Sequence, residues 1–220
     1  MTLQLFGTVS VFFLFIFMLR EFVALRRIRP LKYLFTPLVT VLVIFIPFIA
    51  AGEAGLTPYN SFIICALLLS LVGDTLLMIE ETDLLKYGMF FFLVCHLFYA
   101  AAFSVKYSFR LWNILLFAGL ALIAVIHVKK LSRTAGKLTL PVAVYVTAIT
   151  TMICLAVAQL NIGFTPGAAM AAGGALLFGI SDYLHSVNNF MRKIENSTVY
   201  TWLFYAPAQF LIAASTLSVF

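Results

Sequence analysis

Apolar residues fill eight long segments of the chain, and short polar stretches such as Gly52–Tyr59 and Lys129–Lys137 separate them. Each segment has about the 17–25 residues that an α-helix needs to cross a bilayer. The segments are Leu3–Phe22, Tyr33–Ala51, Asn60–Ile79, Tyr87–Ser104, Phe109–Val128, Leu138–Ala158, Thr165–Ser186 and Thr198–Val219. The pattern predicts an all-α, polytopic membrane bundle of eight transmembrane helices.

Composition leads to the same class of protein. Hydrophobic residues make up 64% of the chain and charged residues only 10%, whereas soluble domains average about 25% charged residues. No connection is long enough for a soluble domain, so we expect residues 1–220 to form a single integral membrane domain. The first segment has no basic region before it, which favours a retained span over a cleaved signal. We expect a bacterial inner membrane, or the endoplasmic reticulum if the source is eukaryotic.

Positive charge lies mostly on one side of the predicted bundle. Only Lys106 and Arg110 fall on the other side. The remaining twelve Lys and Arg belong to the odd-numbered connections: Arg20, Arg26, Arg27, Arg29, Lys32, Lys86, Lys129, Lys130, Arg133, Lys137, Arg192 and Lys193. The positive-inside rule therefore places these connections in the cytoplasm and both termini outside. The net charge of +6 reflects this topology and contact with anionic lipid, and we expect no nucleic-acid partner.

Two aspartates stand inside apolar segments. Asp74 lies in Ser70–Met78 and Asp182 in Leu176–His185. A charged side chain at the centre of a bilayer helix costs about 2.5–3.5 kcal/mol on insertion scales, so each needs compensating partners. With about 1.5 Å of rise per residue, Asp74 lies about 7–8 Å and Asp182 about 6 Å inside the cytoplasmic boundary. They form either a shared site or two separate interhelical hydrogen bonds.

Other polar and aromatic side chains share helical faces: Ser70 with Asp74, His96 with Tyr99, and Trp202 with Tyr205 and Gln209. With the two aspartates, His96 and Gln209 fall in the cytoplasmic half of the bilayer or close to its middle. On the seventh segment, small residues recur at every fourth position in Gly167–Gly179, a spacing that lets another helix approach closely. Asp182 continues this stripe, so we expect its side chain to face the bundle interior.

The two halves of the chain can be overlaid with Asp74 on Asp182. In each half the third span ends in an aspartate, and the fourth carries a tyrosine with an imidazole or an amide: Tyr99 with His96, and Tyr205 with Gln209. Each half has an even number of spans, which would make two parallel four-helix repeats. Residue identity between the halves is poor, so duplication and chance both remain open.

Several short motifs follow one another along the chain. They are Gly73-Asp74 with Leu76-Leu77-Met78, Gly88, the run Phe92–Tyr99, Ser181-Asp182-Tyr183, and Tyr205 with Gln209. Together they resemble the YhhN family of membrane proteins over most of the chain. The resemblance implies hydrolysis of the vinyl ether bond of lysoplasmalogens to a fatty aldehyde and a glycerophospho-base. The family's two acidic positions carry over onto Asp74 and Asp182.

The chemistry of a vinyl ether suits a pair of carboxyl groups. Acid protonates the β-carbon and gives an oxocarbenium ion, and glycosidases handle a similar cation with one protonated and one ionised carboxyl group. We therefore expect Asp74, Asp182 and His96 to be catalytic, with His96 orienting water or relaying a proton. Further substrate contacts are expected from Ser70, Tyr99, Trp202, Tyr205 and Gln209.

We expect the two aspartates to share one cavity open toward the cytoplasmic leaflet, with Phe92, Phe178 and Trp202 in its walls. The expected partners are a lysophospholipid substrate and the lipid bilayer. Nothing in the sequence indicates a cofactor, a bound metal or a protein partner.

Two other classes of function fit parts of the pattern. Asp74, His96, Asp182 and His185 are residue types that bind zinc, which activates water, so a metal-dependent lipid hydrolase is one alternative. The other is a small ion-coupled transporter, because intramembrane carboxylates and internal repeats also mark such carriers.

The charge pattern predicts the side on which the C-terminus lies. A reporter fused after Phe220 should be found on the non-cytoplasmic side, because twelve of fourteen positive residues fall on the opposite side. Reporter activity and accessibility to an impermeant reagent measure this directly. A cytoplasmic C-terminus would mean that the predicted number of spans is wrong and would remove the basis for the depths given above.

Overall fold

The computed structural model describes residues 2–79 and 81–217, which form eight α-helices and no strand. The helices are α1 (Thr2–Leu25), α2 (Arg29–Ala54), α3 (Pro58–Met78), α4 (Leu85–Ser104), α5 (Leu111–Leu131), α6 (Thr139–Ala158), α7 (Pro166–Phe190) and α8 (Ser197–Ala214). Single 3₁₀ turns, Gly136–Leu138 and Gln159–Asn161, flank α6. The predicted all-α membrane bundle is confirmed.

Helices α1 to α7 are each long and apolar enough to cross a membrane. Helix α8 has 18 residues and is less apolar, because it carries Pro207, Gln209 and several hydroxyl groups. Most of its side chains face other helices. The predicted eighth span is too long at its end, since α8 stops at Ala214; Ser218 and Val219 lie outside the described residues.

The third helix of each half begins in the same way. Thr57 and Thr165 are the N-cap residues, and their hydroxyl oxygens accept hydrogen bonds from the backbone N–H of Asn60 (3.2 Å) and Ala168 (3.1 Å). A proline follows each threonine at the first helical position, where its missing N–H costs nothing. Each threonine precedes its aspartate by 17 residues, so each aspartate lies at the same distance from the start of its helix.

Helix packing repeats between the two halves of the chain. Helix α3 packs on α4 as α7 packs on α8, and α2 packs on α3 as α6 packs on α7. The halves meet mainly through two matching contacts, α4 with α6 and α8 with α2. Exchanging α1–α4 for α5–α8 maps these contacts onto one another, in agreement with the predicted pair of parallel repeats. The smaller contacts of α8 with α1 and α3 are not repeated to the same extent.

Helix α5 is the most peripheral helix of the bundle. It packs mainly against α6, and Asn113 and Leu131 are its buried residues. Large apolar side chains such as Leu115 and Ile123 are exposed along it. In a membrane this surface faces lipid.

Small residues let α7 and α8 approach closely. The predicted stripe on α7 faces inward, since Gly167, Ala171 and Ala175 are buried. A Cβ atom at Gly174 would stand 2.7 Å from Cγ1 of Ile212 and 2.8 Å from the backbone oxygen of Ala208. Backbone cannot give way as a flexible side chain does, so this helix pair depends on glycine at position 174.

The charge pattern assigned Arg20 and Lys32 to the first cytoplasmic connection, and the structure places them elsewhere. Helix α1 continues to Leu25 and α2 begins at Arg29, so both residues lie inside helices, and both are buried. Arg20 pairs with Glu21, with Nη1 to Oε1 at 2.6 Å. A buried charge requires such a partner. Arg20 and Lys32 therefore belong to the bundle interior.

Adding one methyl group at position 174 should loosen the α7–α8 pair. We expect Gly174→Ala to destabilise the detergent-solubilised protein by about 1–3 kcal/mol, the usual cost of overpacking, which thermal unfolding measures. Gly173→Ala is the matched control, because a Cβ atom there meets only Leu211 Cδ1 at 3.9 Å. Equal stability of the two variants would contradict this account of the helix contact.

Candidate functional site

A cavity of about 530 Å³ lies within the bundle, and all eight helices contribute to its walls. Both Asp74 and Asp182 line it, as expected. Its volume falls in the range of about 300–1,000 Å³ that is common for small-molecule sites. The two intramembrane aspartates thus face one space.

Hydroxyl groups from two other helices hold Asp74. Its Oδ2 accepts hydrogen bonds from Oγ1 of Thr40 on α2, at 2.6 Å, and from the hydroxyl of Tyr205 on α8, at 2.8 Å. Asp74 itself is only 5% exposed. A buried carboxyl group requires such donors, because water cannot solvate it there.

Asp182 is held from α6 and α4. Its Oδ2 accepts a hydrogen bond from the hydroxyl of Tyr145 at 2.5 Å. Nε2 of His96 stands 3.5 Å from the same oxygen, slightly beyond an ordinary hydrogen bond. The imidazole is fully buried and lies edge-on to the rings of Tyr145 and Phe178. This packing fixes the ring beside the carboxyl group.

The two aspartate sites follow the same helical plan. Asp74 on α3 is contacted from α2 and α8, and Asp182 on α7 is contacted from α6 and α4. Exchanging the halves of the chain therefore converts one set of helices into the other. Each half supplies one aspartate and also a side chain that contacts the aspartate of the other half.

A hydrogen-bond chain continues behind Asp74, away from the cavity. The hydroxyl of Tyr99 donates to Oε1 of Gln209, and Nε2 of Gln209 donates to the hydroxyl of Tyr205 at 2.9 Å. Tyr205 then donates to Asp74. This chain fixes the orientation of the Tyr205 hydroxyl group.

The residues predicted to contact substrate therefore separate into two groups. Tyr205 and Trp202 line the cavity. Ser70, Tyr99 and Gln209 lie behind its wall, and the Ser70 hydroxyl donates to the backbone oxygen of Leu67. The expected aromatic walls divide likewise: Phe92 lines the cavity with Trp202, whereas Phe178 packs behind it against Tyr205 and His96.

Sequence reasoning missed several polar groups of the site. Thr40 and Tyr145 are the hydrogen-bond donors to the two aspartates, and Arg20, Lys32 and Thr36 line the cavity. Thr36 and Thr40 are one turn apart on a long apolar helix, a spacing that places both on one face. That pair was a usable signal. Tyr145 carried none, because a tyrosine in an apolar span is ordinary.

The cavity wall has a polar part and an apolar part. The polar part includes Arg20, Lys32 and Thr36 together with the last residues of α7 and the first turns of α8. The apolar part comes from α5, α6 and α7, through Leu120, Ile123, Val142, Val146, Ile149, Ile153, Leu176 and Ile180. Such a wall matches a ligand with a polar head and a hydrocarbon tail.

Three residues of the cavity wall on α5 and α7 are also exposed: Ile123, Leu176 and Ile180, at 64%, 46% and 43%. Their exposure indicates a lateral opening between the two helices. The two helices are joined at one end, where Nε2 of His127 and the Ser186 hydroxyl are 2.8 Å apart. The apolar part of the cavity wall is therefore continuous with the lipid-facing surface.

No group of three or more His, Cys, Asp or Glu side chains is placed to hold a metal ion within residues 2–79 and 81–217. Asp74, His96, Asp182 and His185 thus form no such cluster there. The zinc alternative has no ligand set in this part of the chain.

Comparison with known proteins identifies the family of the chain and several curated relatives. The YhhN family model matches residues 31–216, a range that contains both aspartates. Lysoplasmalogenase TMEM86A of Homo sapiens is 32% identical over 161 residues, and that of Bos taurus is 31% identical over 164 residues. Each match covers 72% of this chain and 66% of the relative, slightly under two thirds of the relative's length. No solved structure matches the chain.

Removing the Tyr205 hydroxyl should destabilise the bundle. It takes one donor from Asp74 and leaves Nε2 of Gln209 without its acceptor. We expect Tyr205→Phe to cost about 1–3 kcal/mol, the penalty for buried polar groups left unpaired, measured by thermal unfolding in detergent. Tyr200→Phe on the same helix, where the ring is half exposed, should change stability little. Unchanged stability of Tyr205→Phe would count against the hydrogen-bond chain.

Proposed function

The chain belongs to the YhhN family, and from this we propose that it hydrolyses the vinyl ether bond of lysoplasmalogens within the membrane. The products would be a fatty aldehyde and a glycerophospho-base. The curated relatives carry the name lysoplasmalogenase, which supports this class of reaction. The matched segment covers 66% of each relative, and the activity of the relatives is therefore proposed for this chain.

One structural observation carries the proposal: two carboxyl groups line a single cavity whose wall changes from polar to apolar. A lysoplasmalogen has the same division, with a glycerophospho-base at one end and an alkenyl chain at the other. Its vinyl ether joins these two parts. Asp74 and Asp182 lie in the wall of a cavity that has both polar and apolar lining residues. The proposed substrate therefore presents its reactive bond to the two acids.

In the proposed reaction, one aspartic acid donates its proton to the β-carbon of the vinyl ether. The double-bond electrons form the new C–H bond, and the α-carbon becomes an oxocarbenium ion, which the other aspartate stabilises as a carboxylate. Water adds to the α-carbon and gives up a proton to a carboxylate, forming a hemiacetal. The hemiacetal hydroxyl then gives its proton to a carboxylate as the bond to the glycerol oxygen breaks. A carboxylic acid returns a proton to that oxygen, and the aldehyde leaves. The net change is addition of one water molecule, without an oxidant or a reductant.

Neighbouring side chains position the two acids in this scheme. Thr40 and Tyr205 orient the Asp74 carboxyl group, and Tyr145 orients that of Asp182. His96 lies behind the cavity wall, 3.5 Å from Asp182. We therefore assign it a positioning role, through Asp182, in place of the direct contact with water expected from the sequence.

The proposed substrate lies with its head among Arg20, Lys32 and the ends of α7 and α8. Its alkenyl chain runs along the apolar wall of α5, α6 and α7 and leaves through the lateral opening. The charged side chains thus contact the polar head, and the apolar wall contacts the hydrocarbon chain.

Replacing either aspartate with asparagine should abolish hydrolysis. Asparagine keeps the size of the side chain but can neither donate a carboxylic proton nor stabilise a cation. Purified Asp74→Asn and Asp182→Asn, assayed for aldehyde release from an alkenyl lysophospholipid, should lose activity by at least about 10²-fold, a modest value for general acid catalysis. His96→Ala should reduce activity less completely.

Asp83→Asn is the matched control, since Asp83 is exposed in the loop before α4 and should be dispensable. The three asparagine variants should elute as folded protein with near wild-type thermal stability. Near wild-type turnover in either asparagine variant would contradict the mechanism. Activity of the wild-type protein that requires an added divalent metal would favour the metal-dependent alternative.

A further inference from the structure

Arg20 is the most unusual charged residue in the cavity. Its side chain is fully buried within α1 and lines the cavity. Only one of its terminal nitrogens is used, since Nη1 donates to Oε1 of Glu21 at 2.6 Å. Nε and Nη2 have no hydrogen-bond partner. A buried donor left unpaired is costly, so this side of the guanidinium points to a missing acceptor.

The two unpaired nitrogens belong to one edge of the guanidinium group. That edge carries two parallel N–H groups, which match two oxygens of a phosphate or carboxylate group. Two contacts hold the group in place: the pair with Glu21, and the ring of Trp202, whose centroid lies 4.1 Å from the Arg20 Cζ atom. Arg20 is therefore preorganised, with its unpaired edge available to an anion.

Two further residues of the cavity wall favour the binding of an anion. Thr36 also lines it, is buried, and has no partner for its hydroxyl group. Lys32 adds a positive charge to the wall, whereas Glu21 offsets part of the Arg20 charge from outside the lining. The family model matches residues 31–216, so Arg20 lies outside the matched segment.

We infer that Arg20 binds the phosphodiester of the lysolipid through Nε and Nη2, with Thr36 as a second hydrogen-bonding group. This rests on the proposed function only for the identity of the lipid, since it concerns binding and not the bond that is cleaved. Phosphate on Arg20 would fix the direction of the lipid in the cavity, with its chain toward α5, α6 and α7. Arg20 is thereby the residue that selects a phospholipid over a neutral glycerol ether.

A pair of non-hydrolysable ligands tests this inference without relying on catalysis. The probes are a 1-O-alkyl lysophosphatidylcholine and the 1-O-alkylglycerol with the same chain, with binding to the purified protein measured in detergent. The wild-type protein should prefer the phospholipid. Arg20→Gln should weaken phospholipid binding about 10-fold to 100-fold, the loss of one charge-assisted bidentate contact, and leave binding of the alkylglycerol unchanged. Arg26→Gln, which removes an exposed positive charge one helix turn and a half away, should change neither.

Two further variants keep the test decisive if Arg20→Gln does not fold. Arg20→Lys retains the charge but loses the two-nitrogen edge, and Thr36→Val removes only the hydroxyl group. Each should lower the preference for the phospholipid several-fold. An unchanged preference in both variants would overturn the inference.

Competition separates a lipid site from a general phosphate site. Glycerophosphocholine should displace the alkyl lysophospholipid, and inorganic phosphate at the same concentration should not. Equal displacement by the two would overturn the assignment to a lysolipid phosphodiester. Loss of the Arg20-dependent preference in a protein that still cleaves vinyl ethers would reject this inference alone. A protein that keeps the preference but cleaves no vinyl ether would reject the proposed function alone.

Discussion

Placing two carboxyl groups inside a membrane-spanning bundle is the constraint on which the rest of the site depends. Each aspartate requires hydrogen-bond donors that only other helices can supply, because water is scarce and the helix backbone is already paired. For Asp74 the donors are Thr40 and Tyr205, and for Asp182 the donor is Tyr145 with His96 nearby. These contacts link helices that are far apart in sequence. The cavity is therefore assembled only when both halves of the bundle are in place.

The reciprocal contacts also explain why the halves are not two independent units. Tyr205 of the second half contacts the aspartate of the first, and His96 of the first half stands beside the aspartate of the second. Close packing on small residues, as at Gly174, holds α7 against α8. Apolar contact alone discriminates poorly between helix arrangements in lipid, since the surroundings are equally apolar. Polar pairs of this kind specify which helices meet.

Much of the fold was predictable from the sequence because membrane helices have a strong signal. Segment lengths and polar breaks predicted eight helices close to those observed. The depth and helical face of Asp74 and Asp182 predicted that both side chains face the interior of the bundle. Partners were harder, since Thr40 and Tyr145 look ordinary in their own segments and matter only through contacts with distant helices. Arg20 was misread for the same reason. An arginine near a helix end usually reaches the interface, and only its neighbours Glu21 and Trp202 show that it stays inside.

The opening between α5 and α7 has a consequence for how the protein meets its ligand. Ile123, Leu176 and Ile180 belong both to the cavity and to the lipid-facing surface, so a lipid can slide in without first dissolving in water. Encounter is then a two-dimensional process governed by lateral diffusion in the leaflet. The relevant concentration is the mole fraction of the ligand among its neighbouring lipids. Diluting the membrane with inert lipid should slow turnover even when the total amounts of protein and ligand in the sample stay the same.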